Sequence, residues 1–336
     1  MAVNLPFSIL ILHLIGDVPM MIVDNRAILC VTPNPAVDRT LIVDRLALGE
    51  IHRVSEPIVA AGGKGLNVAR VLRTLGGQVL CAGFLGGHSG RLVADLAAAE
   101  GLAGDWTWIA GETRTCVIVV EPAHRDATVI NEPGPHVARA DWARLSEQVL
   151  RASGGAAMVC LSGSLPPGSA PADYAALLAG LRDAGRPVWV DTSGPALAAA
   201  LGVGGVGIKV NGHEAGAVLG ASAHGLEDAL AAARELHART RAPVVLTLGG
   251  QGALLVDSEG CWHAQPPPIE VVSTVGSGDA FLAGLAHALA AGAPGPEALA
   301  RAAASGSANA CSAGGGRLDP ALVQNLLGRT VVRLLT

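Results

Sequence analysis

From residue 27 onward, short apolar runs alternate with stretches in which apolar residues recur every three or four positions, the pattern of strands separated by helices. Ala27-Ile28-Leu29-Cys30-Val31 is the first credible strand, and it ends in Thr-Pro-Asn-Pro, a loop signal, with Asp38 just beyond. Segments 39–46 and 51–59 are β-rich around a Leu-Gly-Glu turn, and 115–121 with 127–131 form a second hairpin around His124-Arg125-Asp126. Neither fits the rhythm of the rest, so both are read as a small β-sheet lid, near 39–60 and 113–132, over one edge of the main sheet. Between them lie a helix opening at Gly62 and running to Leu75, a strand over 79–84 and a helix over 90–100. Helices are then expected at 141–152, 171–184, 212–219 and 225–239, strands at 157–161, 187–191, 207–210 and 243–248, and a hairpin at 252–264. Helices at 279–292, 296–312 and 319–328 finish the chain. Such alternation predicts an α/β fold with a mostly parallel central sheet flanked by helices on both faces.

One stretch stands apart. Val271-Val272-Ser273-Thr274-Val275-Gly276-Ser277-Gly278-Asp279 reads as strand, tight turn and helix mouth, with Phe281, Leu282, Leu285 and Leu289 continuing at helical spacing. The glycines let the backbone N–H groups of Gly276, Ser277 and Gly278 turn outward at the positive end of the helix dipole, a ready anion site. A carboxylate beside an anion hole suits a phosphoryl group in transfer, with Asp279 taking the proton of the accepting hydroxyl. The plainer alternative is an ordinary helix start with an acid favoured by the dipole.

Composition narrows the choices. Half of the 336 residues are apolar but only 3% are aromatic, as in a chain that packs helices closely onto a sheet. The net charge of -5 argues against nucleic acid or an anionic membrane as partner, so phosphate affinity must be local. Cys30, Cys81, Cys116, Cys160, Cys261 and Cys311 lack CxxC spacing and fit reduced thiols in a cytoplasmic protein. The histidines, His52 and His213 included, lack metal-ligand spacing and read as caps or surface residues. Residues 1–25 carry an apolar run too short to span a bilayer and without signal-peptide features. They are expected to be an extension outside the fold, with residues 26–336 forming the domain.

In an open α/β sheet, ligands bind at the carboxyl ends of the strands. The unusual polar residues fall there: Asn34 and Asp38, the Gly62-Gly63-Lys64-Gly65-Leu66-Asn67 loop, Ser162 and Ser164, Asp191, Lys209 and Asn211, Gly249-Gly250, and Asp279. Gly62-Gly63-Lys64-Gly65-Leu66-Asn67-Val68-Ala69 and Ser273-Thr274-Val275-Gly276-Ser277-Gly278-Asp279 resemble the two signatures of the ribokinase/PfkB carbohydrate kinases. Thr32-Pro33-Asn34-Pro35-Ala36-Val37-Asp38, Ser162-Gly163-Ser164-Leu165-Pro166 and Asp191-Thr192-Ser193-Gly194 are similar to the branch acting on sugar phosphates: 1-phosphofructokinase, tagatose-6-phosphate kinase and minor-type 6-phosphofructokinase.

The resemblance implies a ribokinase-like three-layer fold and ATP-dependent, magnesium-requiring transfer to a ketohexose phosphate, most like conversion of fructose 1-phosphate to fructose 1,6-bisphosphate. It implies Asp279 as base, Gly276, Ser277 and Gly278 as the amide cradle, and Asp38, Asn67, Gly62, Gly63 and Ser164 around the acceptor. Lys64 and Arg114 would face the phosphate already on the substrate, and Arg53 would reach a neighbouring subunit's site. Lys209, Asn211, Thr247, Gly249, Gly252 and Asn309 would serve the nucleotide, with Glu214 organising Mg2+ through water. Arg53 also fits a plain surface arginine, and Asp191 with Thr192 fits an Asx-turn as well as a metal contact.

Two departures stand out: Val210 replaces the family's usual proline after Lys209, and Cys116 stands where close relatives commonly carry asparagine. The alternatives are a kinase of tagatose 6-phosphate, fructose 6-phosphate or an unphosphorylated sugar, or a non-catalytic sugar-binding homologue. A salt bridge that turns Lys64 or Arg114 from the pocket would weaken the case for a phosphorylated acceptor. A dehydrogenase is disfavoured because no G-x-G-x-x-G follows the first strand. Leu41, Val43, Val117 and Val119 on one lid face suggest a homodimer through the lid.

Overall fold

The computed structural model describes residues 27–122 and 126–335. The extension expected over 1–25 and the tip of the second hairpin at 123–125 lie outside the described residues.

The first half of the chain forms β1 (Ala27–Thr32), β2 (Ala36–Ile42), β3 (Ile58–Gly62), α1 (Lys64–Thr74), β4 (Val79–Gly86), α2 (Gly87–Ala99), β5 (Ala103–Ile109), β6 (Arg114–Glu121), β7 (Asp126–Asn131), α3 (Arg139–Ser153) and β8 (Ala156–Ser162). The second half adds α4 (Pro171–Asp183), β9 (Val188–Asp191), α5 (Gly194–Val203), β10 (Gly207–Asn211), α6 (Gly212–Leu219), α7 (Gly225–Thr240), β11 (Val244–Thr247), β12 (Ala253–Val256), β13 (Cys261–Gln265), α8 (Ser277–Ala290), α9 (Gly295–Ala310), α10 (Pro320–Leu327) and β14 (Val331–Leu335).

The main sheet has ten strands in the order β14-β13-β12-β11-β10-β9-β8-β1-β4-β5. Pairing is parallel from β11 through to β5 and antiparallel among β11, β12, β13 and β14. Neighbouring residues of a central strand face opposite cores, as the pleat requires. Leu29 and Val31 of β1 join Trp142 and Tyr174 from α3 and α4 on one face. Ile28 and Cys30 join Leu66, Leu72, Phe281 and Leu285 from α1 and α8 on the other. Helices on both faces explain why these strands read as unbroken apolar runs and not as alternating ones. Cys30 is in register with Cys81 on one side and Cys160 on the other, and all six cysteines are free thiols.

A second sheet of four strands, in the order β3-β2-β6-β7, stands apart from the first. It joins two antiparallel pairs through a parallel contact between β2 and β6. The sequence placed the first hairpin's return strand too early: 43–57 has no regular structure, and the partner of β2 is Ile58–Gly62. Ser55, Glu56 and Pro57 in that stretch favour a loop, and the hydrophobic signal at Ile51 and Val54 belongs to it.

Other differences have local causes. The β-branched residues at 269–272 form no strand; Pro266, Pro267 and Pro268 precede them without N–H donors, and the N–H groups of Val272 and Ser273 both donate to Ala310 O at the end of α9. Strand β5, helix α5 and strand β14 have no sequence expectation behind them. In α5 the apolar residues run nearly all round the helix, which hides the period. Leu41 and Val117 are partly exposed on the small sheet, but Val43 and Val119 are buried within the chain itself. The exposed apolar residues of these strands are Ile42, Val129 and Ile130.

Candidate active site

The site is built where α1 and α8 begin, at the carboxyl ends of β1, β9 and β10. Gly63, with φ 109°, turns the chain from β3 into α1 and so places Lys64 and Asn67 in the first turn of that helix. Gly276, with φ 80°, does the same for α8; a β-carbon there would lie 2.6 Å from Gly315 Cα. The two turns bring Asn67 to Asp279, whose Oδ2 accepts a 2.8 Å hydrogen bond from Asn67 Nδ2.

Asp279 is buried, 6% exposed, in the first turn of α8. Burial pushes its carboxyl up to about 6, assisted by the negative charge of Asp191 and opposed by Lys64, by the Asn67 hydrogen bond and by Lys209. Of the three amides expected to turn outward, that of Ser277 donates to Thr274 O at 3.2 Å. Among the described residues Gly276 and Gly278 N–H have no main-chain partner, so the cradle has two free amides and not three.

Asp191, at the end of β9, is fully buried and carries a lysine on each oxygen: Lys64 Nζ and Lys209 Nζ, both at 2.7 Å. Burial alone would raise its pKa; the two ammonium groups reverse this and hold it below the usual carboxylate value. Lys64 also lies 3.5 Å from Glu214 Oε1. Burial works to lower the Lys64 pKa, but Asp191, Glu214 and Asp279 outweigh it and the ammonium is held well above its ordinary value. Lys209 reaches the base of α8, since a β-carbon on Gly278 would meet its Nζ at 2.7 Å. Asn211 caps α6 in a reciprocal box with Glu214: Glu214 N–H donates to Asn211 Oδ1 at 2.8 Å and Asn211 N–H to Glu214 Oε2 at 3.0 Å.

Asp38, on β2, faces the same hollow from the small sheet, in register with Ala60 and Cys116. Burial pushes its carboxyl up to about 6, against the charges of Arg70 and Arg114 and a hydrogen bond from Gly63 N–H. Arg114 donates to Glu132 O at 3.1 Å and Asn34 O at 3.0 Å, and its buried Nε has no partner. Asn34 Nδ2 in turn donates to Ser164 Oγ at 3.3 Å.

These positions bring most of the expected residues together, with three revisions. Lys64 is ion-paired inside the protein, drawn to Asp191 and Glu214; this removes one of the two cations expected at the acceptor's phosphate, weakens that part of the case for a phosphorylated acceptor, and leaves Arg114 as the cation on the acceptor side. Asn309 is fully buried in α9 and spends its amide on Val275 O, Ser277 Oγ and Arg317 N–H, so it braces the glycine turn from behind. Arg53 lies exposed in the 43–57 segment, with no hydrogen bond or ion pair to the cluster among the described residues. Thr247 ends β11, Gly249 opens a single 3-10 turn after it and Gly252 follows that turn; at Gly252 a β-carbon would clash with Ala264 O at 2.0 Å.

Arg70, Glu100 and the Gly314-Gly315-Gly316 loop went unnoticed in the sequence. Their signals were a buried-side arginine one helical turn past Asn67 and a triple glycine; the loop packs on Asn67, where a β-carbon at Gly316 would lie 2.8 Å from Asn67 O. Among the described residues no group of three or more His, Cys, Asp or Glu side chains is placed to hold a metal ion.

The description "pfkB family carbohydrate kinase" matches residues 31–322, which include every residue of this cluster. The chain belongs to the PfkB family of carbohydrate kinases. The 1-phosphofructokinase of Rhodobacter capsulatus is 40% identical over 262 residues, 77% of this chain and 82% of that protein. The 1-phosphofructokinase of Escherichia coli K12 is 36% identical over 265 residues, 79% of this chain and 85% of that one. Among solved structures, phosphofructokinase-2 of Escherichia coli in complex with potassium superposes with a TM-score of 0.84 at 31% identity, covering 90% of this chain and 98% of the other. This PfkB kinase therefore has the ribokinase-like architecture and is a sugar-phosphate kinase.

Proposed function

We propose that this PfkB kinase transfers the γ-phosphoryl group of ATP to fructose 1-phosphate, giving fructose 1,6-bisphosphate and ADP. The relatives named 1-phosphofructokinase support the acceptor, and one observation carries the chemistry: a buried carboxylate, Asp279, held by Asn67 at the mouth of α8 beside two amides and two lysines. In this reading Asp38 and Asn67 hold sugar hydroxyls, and Arg114, with Asn34 and Ser164 beside it, meets the phosphate already present. Asp279 takes the proton of the attacking hydroxyl as its oxygen bonds to the γ-phosphorus and the bond to the ADP oxygen breaks. Charge on the group in transfer is met by Gly276 and Gly278 N–H, Lys209 and Lys64. No covalent intermediate on the protein is needed.

Thr247, Gly249 and Gly252 line the nucleotide side, with Asn309 supporting the turn. Magnesium bound with the nucleotide would screen its phosphates, and Glu214, with one oxygen capping α6 and the other toward Lys64, suits contact through water better than direct ligation. No helix is long and apolar enough to cross a membrane among the described residues, and the free thiols suit a cytoplasmic protein. The exposed Ile42, Val129 and Ile130 support a homodimer through the small sheet; a monomer in light scattering at micromolar concentration would overturn that pairing. A relative's structure is described as a tetrameric inhibited form, so light scattering also separates dimer from tetramer.

A second reading, fructose 6-phosphate as acceptor, is supported by the likeness to phosphofructokinase-2, one structure of which is described in complex with fructose-6-phosphate. A coupled ADP-release screen decides: kcat/KM should be highest for fructose 1-phosphate among fructose 6-phosphate, tagatose 6-phosphate and free hexoses. A higher value for any of these would overturn the assignment of the acceptor.

A further inference from the structure

Arg70 is a buried cation on α1, one turn beyond Asn67 and 8% exposed. Each of its five N–H groups has an acceptor. Nε donates to Glu100 Oε2, Nη1 to Asn67 Oδ1 at 2.8 Å and Gly315 O at 3.2 Å, and Nη2 to Ala61 O at 2.6 Å and Glu100 Oε1 at 3.2 Å. With no donor left over, the guanidinium cannot bind substrate and acts through what it holds.

What it holds are the three pieces on which the site depends. Ala61 is the penultimate residue of β3, next to Gly62, which packs on Asp38. Gly315 belongs to the loop lying against the Gly276 turn. The third piece is the amide oxygen of Asn67. An amide has two ends of opposite polarity, and here a cation faces one end while the Asp279 carboxylate faces the other. Turning the amide over would set its NH2 against the guanidinium and its oxygen against the carboxylate, two repulsive contacts in a low-dielectric setting. The charge of Arg70 is itself balanced by Glu100.

We propose that Arg70 is a positioning residue for phosphoryl transfer: it fixes the orientation of the Asn67 amide, and through it the Asp279 carboxylate, with Glu100 as its anchor. The proposal rests on the reading of Asp279 as the base. Without Arg70 the Asn67 amide is free to rotate and the carboxylate loses its only neutral donor among the named contacts. Asp191, Lys64 and Lys209 still face it from β9, α1 and β10.

The test is a double-mutant cycle on kcat with Arg70→Gln and Asn67→Ala, using whichever acceptor the wild type turns over. Arg70→Gln alone should lower kcat about 10- to 100-fold, the scale of a misplaced catalytic group, and move the acidic limb of the kcat profile to higher pH. In the Asn67→Ala background the same change should cost less than about twofold, because the two residues act as one unit. Losses that multiply in full, or an acidic limb that does not move, would overturn the proposal. Should Arg70→Gln fail to fold, Glu100→Gln enters the same cycle, where a smaller loss that vanishes without Asn67 is expected and a loss that persists overturns it. Failure of the acceptor assignment shows separately, as wild-type turnover of a different sugar.

Discussion

The Asp38 carboxyl group fills the space in which Gly62 would carry a side chain: a β-carbon there would sit 2.1 Å from Asp38 Cγ. The glycine is thus required by the acceptor-side acid and not by its own backbone angles. Gly62→Ala should displace Asp38, raising KM for the sugar phosphate about tenfold or more while leaving KM for ATP within about twofold, with about 1–3 kcal/mol of overpacking cost. Steady-state kinetics on both substrates checks it; an unchanged sugar KM would contradict the placement of Asp38.

The pH behaviour follows from two carboxyls pushed up to about 6, those of Asp279 and Asp38. A protonated base cannot take the hydroxyl proton, so kcat/KM should rise with pH through about 6 and level off above. The effect on stability has the opposite sense. The ordinary aspartate value is 3.8, so between that and about 6 the folded chain holds a proton that the unfolded chain has released, and ionising Asp279 in the fold costs stability as pH rises. Asp279→Asn should therefore abolish most turnover, by about 10²- to 10⁴-fold, while raising stability at pH 7 by an amount on the order of 2–3 kcal/mol. That gain should shrink as pH falls through 6 toward 4. Melting curves across that range, paired with kinetics, would reveal any mismatch.

Asp191 distinguishes its two lysines by their surroundings. The Lys209 side chain is 4% exposed and that of Lys64 37%, so water can replace only the second. Lys209→Met should cost about 3–5 kcal/mol by leaving a buried carboxylate half-neutralised, whereas Lys64→Met should cost less, because that lysine is itself partly in water. Both should impair turnover. Urea denaturation gives the comparison, and equal losses would refute it.

Much of this was legible in the chain, and the limits are physical. The glycine turns at Gly63 and Gly276 could be read directly, because a positive φ before a helix calls for that residue. Asp279, Asn67 and Asp38 could be read as polar residues stranded at the ends of apolar runs. Partnership could not. That Lys64 faces Asp191, 127 positions away, follows from how β9 meets α1 and leaves no local trace. The β-branched stretch before Gly276 misled for a related reason: a strand needs a neighbour to pair with, and here its N–H groups go to the end of α9. Arg70 was hidden because α1 is buried nearly all round, from Gly65 through Leu72, and in sequence a buried guanidinium resembles a solvated one.

Asn309 supplies a further test of how the cradle is kept in shape. Asn309→Ala would strip partners from Val275 O and from Arg317 N–H at once, at a cost of about 2 kcal/mol or more for buried groups left unpaired. Turnover should fall with it, because Gly276 and Gly278 would lose their backing, while KM for the sugar changes little. A drop in sugar affinity in place of kcat would assign Asn309 to a different task.

The last described strand, Val331–Leu335, forms one end of the ten-stranded sheet, and among the described residues nothing pairs with its outer side. Val331 and Leu334 are half or more exposed along it, with Arg333 as its one charge. Along that edge the Arg333 guanidinium is the charge that opposes two molecules joining rim to rim, far from the catalytic hollow. Replacing it with an uncharged residue would shorten the time a concentrated solution stays clear and leave catalysis untouched.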